Sequence, residues 1–484
     1  SQFAQCGPDS TRTWVVFKKN ERKAPEQNLL DKSILQGKDL KQKRQILWNR
    51  TPEVISEHLE TQLHDGIQTN FVGNFLLIPF LQQLDITELV HHLGISSSGI
   101  PVLKDVLMLV NLAVVGKRRA AKVLDLSDQG IALASGLPIN PDQSQLHRFL
   151  KKPDTDNVDR MIRAMGKRQY EIDQIDGSVV SFDSHLIRYN GKINVQKDSD
   201  GKSKFPYKAV KVHAVLDQKY RNPIYLMARY PGKTAVEIGD ILFEATREII
   251  PYNSTIYTMD KWFSVGELLE HLRINGQKFV TLLRRHQNRI QQMERIPLES
   301  FRRLTDRLRV TSIKTTIRNY NEGIRLIVVD EILDNIRTLY GYLTNDDDQV
   351  EEEVIKMYSN RWGIEFWFYE EKFLGLDETP SIELNEVTMH LAIRLIAYNI
   401  ISAFRANLGG QYVPMNAQTI YDKFFNEQAL IKLRNNQIII TIFAHRFKEV
   451  LEPLYFDLSS KLENRGIDPR VPWLNNHILK FEFK

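Results

Sequence analysis

A chain of 484 residues, 42% hydrophobic and 26% charged, is too long for one ordinary core and too apolar to stay disordered, so two to four folded domains are expected. The net charge of +5 permits a polyanionic partner without demanding one. The single cysteine, Cys6, excludes an internal disulfide and a four-thiolate zinc site, and it suits a reducing, cytosolic setting.

Residues 1–74 are polar and charge-dense and read as an arm or loose helices. The apolar runs at 74–81 and 106–116 fall short of the about 20 residues a bilayer requires, so no membrane role is expected. Helical periodicity runs from near Phe75 to about Arg168, and residues 75–170 are expected to form a helical DNA-binding domain. Within it a Gly-Leu-Pro break separates two helix-like stretches, with Pro141 at the first position of the second. Gln143, Gln145, His147, Arg148, Lys151 and Lys152 would decorate that second helix. The pattern fits a helix-turn-helix, and it fits equally two packed helices with a polar outer face.

From Gly177 the texture changes to short β-branched runs. Strands are expected at 177–183, 209–217, 222–230, 254–260 and 278–285, with helices at 234–250 and 264–276. Three early strands followed by alternating helices and strands predict a mixed α/β sheet whose first part spans 171–283. Residues 284–336 interrupt the rhythm with a strand-rich segment dense in arginine, including Arg284, Arg285, Arg302 and Arg303, and over 284–318 the only acids are Glu294, Glu299 and Asp306. Such a segment belongs beside a phosphate backbone more readily than inside a sheet. The α/β pattern resumes over 337–408, with Asp346 or Asp347 able to cap the next helix and a long apolar helix after it. Residues 409–484 read as a small mixed region.

The stretch "YSNRWGIEFWFYEEK" (358–372) carries the sharpest signal. On one continuous helix Tyr358, Arg361, Glu365 and Lys372 fall within roughly 60° of arc, flanked by the apolar Trp362, Ile364, Phe366 and Phe373. Asp183 and Asp260 each end an apolar strand, where side chains of an α/β sheet point into the ligand crevice. With Glu365 they make three carboxylates from separate elements, an all-oxygen donor set suited to magnesium or manganese. Two such ions about 3.5–4 Å apart can activate an attacking oxygen and stabilise a leaving one in a phosphodiester displacement.

Tyr, two residues, Arg, three residues, Glu, six residues, Lys resembles the Y-R-E-K signature of DDE transposases from insertion sequences, the IS-four group. "LYGYLTND" before the signature, "FLG" after it, and "VVSFDS" and "YTMDKWFS" around the two aspartates are similar as well, so the resemblance covers roughly 175–405. It implies an RNase H-like mixed-sheet core interrupted by a β-rich insertion at 284–336, with helical N-terminal and mixed C-terminal regions. It further implies that Asp183, Asp260 and Glu365 bind two Mg2+ (or Mn2+) ions, and that Arg361 and Lys372, with Tyr358 beside them, contact DNA phosphates. The partners implied are transposon terminal inverted repeats and target DNA, bound by a homodimer, supported by the C-terminal region, in a synaptic complex near the nucleoid. The activity implied is cleavage at transposon ends and joining of the 3′-hydroxyl to target DNA. The alternatives are a nuclease of the same fold without strand transfer and a non-catalytic DNA-binding derivative. Relatives stack a flipped base on a tryptophan in the insertion. Residues 263–361 contain none, which leaves Tyr320, Tyr340 and Trp262, the last standing where the family commonly has glycine.

Overall fold

A computed structural model describes residues 51–199, 205–251, 254–333, 336–370 and 372–484. Most of the expected N-terminal arm, with Cys6, lies outside the described residues.

Four helices longer than seven residues precede the sheet: α1 (Pro52–Asp65), α2 (Val102–Val114), α3 (Gln143–Leu150) and α4 (Thr155–Glu171). α3 starts two residues later than the proline rule suggests. Asp142 is its N-cap and accepts the Ser144 amide, so Pro141 stands outside the helix. Its polar residues are not all on an outer face. Gln145 donates to the buried Asp105 of α2 at 3.1 Å, and His147 Nδ1 lies 3.8 Å from the buried Glu386.

The central sheet contains β1 (Val179–Arg188), β2 (Tyr207–Asp217), β3 (Pro223–Arg229), β4 (Ile256–Met259), β5 (Lys278–Leu282), β6 (Leu308–Thr315), β7 (Ile324–Leu333) and β8 (Ile336–Thr344). Its order runs β2-β1-β4-β5-β8-β7-β6, with β3 and the short strand Lys197–Asp198 on the outer edge of β2 and Arg302–Arg303 beyond β6. β1, β4 and β5 are mutually parallel and every other pair is antiparallel. A mixed α/β sheet is therefore observed. α5 (Ala235–Ile249), closed at its start by a Thr234/Glu237 capping box, and α6 (Gly266–Ile274) supply the crossovers that parallel pairing requires.

The basic segment departs from expectation. β6 and β7 are not set apart beside the sheet; they extend it, β7 pairing with β8 along nine residues from Arg325↔Thr344 to Leu333↔Ile336. A helix, Gln287–Glu294, precedes them, which the alternating pattern did not announce. β1 also runs on five residues past Asp183, to Arg188, rather than ending there, because it stays paired with β2 throughout.

The signature stretch forms two helices, α7 (Glu351–Asn360) and α8 (Trp362–Glu370), meeting at Arg361. Lys372 lies beyond α8 in a turn, so the four signature residues do not share one continuous helical face. Neither Asp346 nor Asp347 caps α7. Val350 is the N-cap, and three glutamates, 351–353, occupy the first turn, where the helix dipole favours negative charge. Asp346 instead pairs with Lys278 and Asp347 with Lys314.

α9 (Leu384–Leu408) is long and apolar enough to cross a membrane, yet it is wholly enclosed, buried from Glu386 to Arg405. Its Arg394 is 1% exposed and donates to the carbonyls of Leu109 and Arg118, tying the helix to α2 and the segment after it. After α9 a five-stranded sheet forms in the order 67–69, 429–434, 437–442, 477–483, 470–471. The segment before residue 75 and the segment after 409 thus share one sheet, and Trp473 donates to the Ala134 carbonyl to bind that sheet to the helices.

Candidate active site

The site begins with sheet register. Parallel pairing of Phe182 with Met259 sets Asp183 and Asp260 side by side, one residue further along β1 and the chain after β4. Because side chains alternate across a strand, Ser181 and Asp183 share a face, as do Thr258 and Asp260. On that face Ser181 Oγ and Thr258 Oγ1 are 2.9 Å apart, and Gln218 Nε2 donates to both and to the carbonyl of Met357 in α7. This one side chain hooks α7 over the two acid-bearing strands. α7 also packs through Val354 and Tyr358 on Val280, Ile327, Val329 and Tyr342 of the sheet.

Anchored this way, the α7–α8 junction delivers Arg361 between the acids. Its Nη1 donates to Asp183 at 2.6 Å, its Nη2 donates to Glu365 at 3.0 Å, and Nη2 lies 4.0 Å from Asp260. The residue is 3% exposed, and its Nε is buried with no hydrogen-bond partner among the described residues. Burial works against the guanidinium charge, yet Asp183 and the neighbouring acids outweigh it and hold the proton more tightly than usual. Asp183 also accepts from the Ser184 amide. Burial, the largest influence, pushes its carboxyl up to about 6, with Arg361 pulling down and Asp260 and Glu365 pushing up. Asp260 serves twice: one oxygen accepts from the Trp262 amide and caps the short helical turn 261–263, while the other faces Arg361.

Sequence reasoning assigned several further residues to DNA, and their surroundings differ. Tyr358 is a core side chain, 5% exposed, its ring 4.9 Å from that of Tyr342 and 5.2 Å from the Arg361 guanidinium carbon. Arg284 donates to the carbonyls of Lys261 and Trp262, buttressing the turn that carries Asp260. Arg302 bonds Glu351 and Glu352 at the start of α7, and Arg303 pairs with Asp306, both remaining exposed. Arg285 is exposed, and Lys372 is half-buried in the turn after α8.

The aromatic candidates also sort by surroundings. Trp262 has Lys211 Nζ 4.0 Å from its ring centroid and the His213 ring nearly parallel at 5.8 Å. That histidine is kept neutral, burial lowering it to about 3, and Ser184 Oγ lies 2.7 Å from its Nδ1. Tyr320 is 7% exposed against Phe279, and Tyr340 is half-buried against Tyr342. Trp362, which the helical pattern treats as an apolar flank, is 62% exposed. Lys211 and His213 carried no sequence signal, because each enters through the register of β2 on β1, and Gln218 enters from the turn after β2.

The donor set suits a hard divalent cation, three carboxylates against one guanidinium leaving excess negative charge. Among the described residues no three His, Cys, Asp or Glu side chains stand together as a ready metal site, and Arg361 lies among the three acids.

Residues 174–400 match the family described as Transposase DDE domain. The chain is similar to a solved structure, the cryo-EM structure of piggyBac transposase synaptic complex with hairpin DNA, at 13% identity and a TM-score of 0.41 over 89% of this chain and 85% of that one. No curated protein matches the chain.

Proposed function

We propose that this chain is a DNA transposase that cuts at the ends of its element, exposes a 3′-hydroxyl and joins it to target DNA through an RNase H-like catalytic core. The observation that carries the reading is the convergence of Asp183, Asp260 and Glu365, from three separate elements, around one guanidinium. The transposase-domain match over the same residues supports it. Asp183, Asp260 and Glu365 would hold two Mg2+ ions, with Mn2+ a substitute, and bound metal would supply a polarised attacking oxygen and charge stabilisation at the phosphorus.

The chain's own residues supply position. The Ser184 amide orients Asp183, and the Trp262 amide orients Asp260. The Arg284 bonds to the carbonyls of Lys261 and Trp262 keep that turn in place. Lys372, close after α8, would take a phosphate of the bound strand, and a homodimer would hold two ends together.

Trp362, exposed next to Arg361, would offer its ring to a base. Trp362→Ala is expected to weaken binding of DNA with an unpaired end by about 1–3 kcal/mol while leaving fully paired duplex binding nearly unchanged. Fluorescence titration with the two DNAs measures this, and equal losses on both would remove Trp362 as a stacking platform.

The function is tested on a denaturing gel with labelled DNA flanking this chain's own coding sequence and Mg2+. Discrete cuts followed by longer joined products are expected. Cuts without joining would favour a nuclease, and binding without any metal-dependent cut would overturn the catalytic reading.

A further inference from the structure

We infer that Arg361 is a stand-in cation for the acid triad. Its guanidinium holds Asp183, Asp260 and Glu365 together before metal arrives, then leaves them for a DNA phosphate as metal enters. This rests on the reading of the triad as a metal-binding site.

The geometry carries the argument in three steps. Three carboxylates drawn together with no cation among them would repel. One guanidinium bonds two of them at 2.6 and 3.0 Å and stands 4.0 Å from the third, so it supplies there positive charge of the kind a divalent ion would supply. Oxygen lone pairs committed to the arginine fork are not available to a metal, so the two cations compete for the same atoms. Beyond the acids, the Tyr358 ring lies 5.2 Å from the guanidinium carbon, and the arginine Nε is buried without a hydrogen-bond partner among the described residues.

Arg361 also sits where it can be re-aimed. It is the single residue between α7 and α8, and the Trp362 that follows is largely exposed. A junction residue can absorb a change of a few dihedral angles without disturbing the helices on either side. A phosphate diester offers the guanidinium the same forked, charge-assisted partner that the carboxylates provide. DNA therefore draws the arginine off the acids and metal drives it toward DNA. By reciprocity of linked equilibria, each ligand strengthens the other. The consequence is a centre that loads metal poorly until a strand lies against it.

The test uses the full chain and Mn2+ as probe, with free Mn2+ followed by electron paramagnetic resonance. Binding is measured alone and with a short duplex, after subtracting Mn2+ held by the duplex itself. Without DNA, Arg361→Gln is expected to bind Mn2+ about tenfold more tightly than wild type. The duplex should tighten Mn2+ binding by wild type and not by Arg361→Gln. Adding Asp183→Asn to Arg361→Gln should erase the gain.

Equal Mn2+ affinity in wild type and Arg361→Gln overturns the inference if Asp183→Asn and Asp260→Asn still weaken binding. If neither acid variant weakens Mn2+ binding in any background, the metal-site reading itself fails, and the inference with it. Should Arg361→Gln not fold, Arg361→Lys replaces the fork by a point charge and is expected to give a smaller gain in the same direction; no gain there overturns it equally.

Discussion

Asp183→Asn is expected to lower DNA cleavage by on the order of 10³-fold or more, equivalent to about 4 kcal/mol of activation free energy, with folding and DNA binding retained. The two effects separate because the position tolerates a neutral group. Burial already pushes the Asp183 carboxyl up to about 6, so the folded protein has limited preference for the charged form near neutrality. An asparagine oxygen can still accept the Ser184 amide or the Arg361 guanidinium, the two partners the aspartate has now. The expected stability loss is therefore within about 1–2 kcal/mol. What the amide cannot do is supply a charged oxygen to a divalent ion or restore the balance of three acids against one arginine. The checks are cleavage on a denaturing gel, duplex binding by anisotropy, and a thermal melt of both proteins. Retained cleavage would take Asp183 out of the catalytic set, and a collapsed melt would assign it a structural role.

A second large effect lies far from the acids, in the helical region. Asp105 is 1% exposed on α2, one oxygen accepting from Gln145 and the other without a hydrogen-bond partner among the described residues. Burial pushes its carboxyl up to about 7, against weaker opposing pulls from Gln145, Lys152 and Arg148. The sign follows from linkage. The folded chain binds a proton that the unfolded chain releases near its ordinary value, so this stabilisation is complete below about pH 4 and is lost as pH rises through about 7. A shift of that size corresponds to roughly 4 kcal/mol across the window, as an order of magnitude. Asp105→Asn removes the titration while keeping the shape. Its melting temperature should match wild type near pH 4 and exceed it increasingly up to pH 7–8. Parallel melting curves across that range would show that Asp105 does not titrate in the folded state within it.

Much of the fold was legible because its signals are local. The strands around 209–217 and 222–230, the helix after Thr234 and the long apolar helix appear close to where alternation, periodicity and capping residues put them. The same holds for the acids: two aspartates near the ends of apolar runs and a glutamate in a regularly spaced motif needed only short windows of sequence to be singled out. The parallel pairing of Phe182 with Met259 then brings Asp183 and Asp260 together.

Electrostatic partners were not legible, because a charge is satisfied by whatever the fold brings near it. The stretch 284–318 reads as a basic surface when counted against its own acids. In the folded chain Arg302 meets Glu351 and Glu352, Lys314 meets Asp347, and Arg325 meets Glu351, all acids that come later in the chain. Tyr358 reads as a signature residue for DNA but lies in the core, since packing of α7 on the sheet decides which face is covered.

By itself, then, the sequence determined many of the strands and helices and singled out three candidate acids, because backbone propensity and side-chain spacing act over a few residues. Only the tertiary structure decided that the basic segment joins the sheet and that the signature helix breaks at Arg361. It alone decided, too, that this arginine turns inward to the acids, because strand register and long-range charge pairing bring together groups separated by as many as 178 residues of chain.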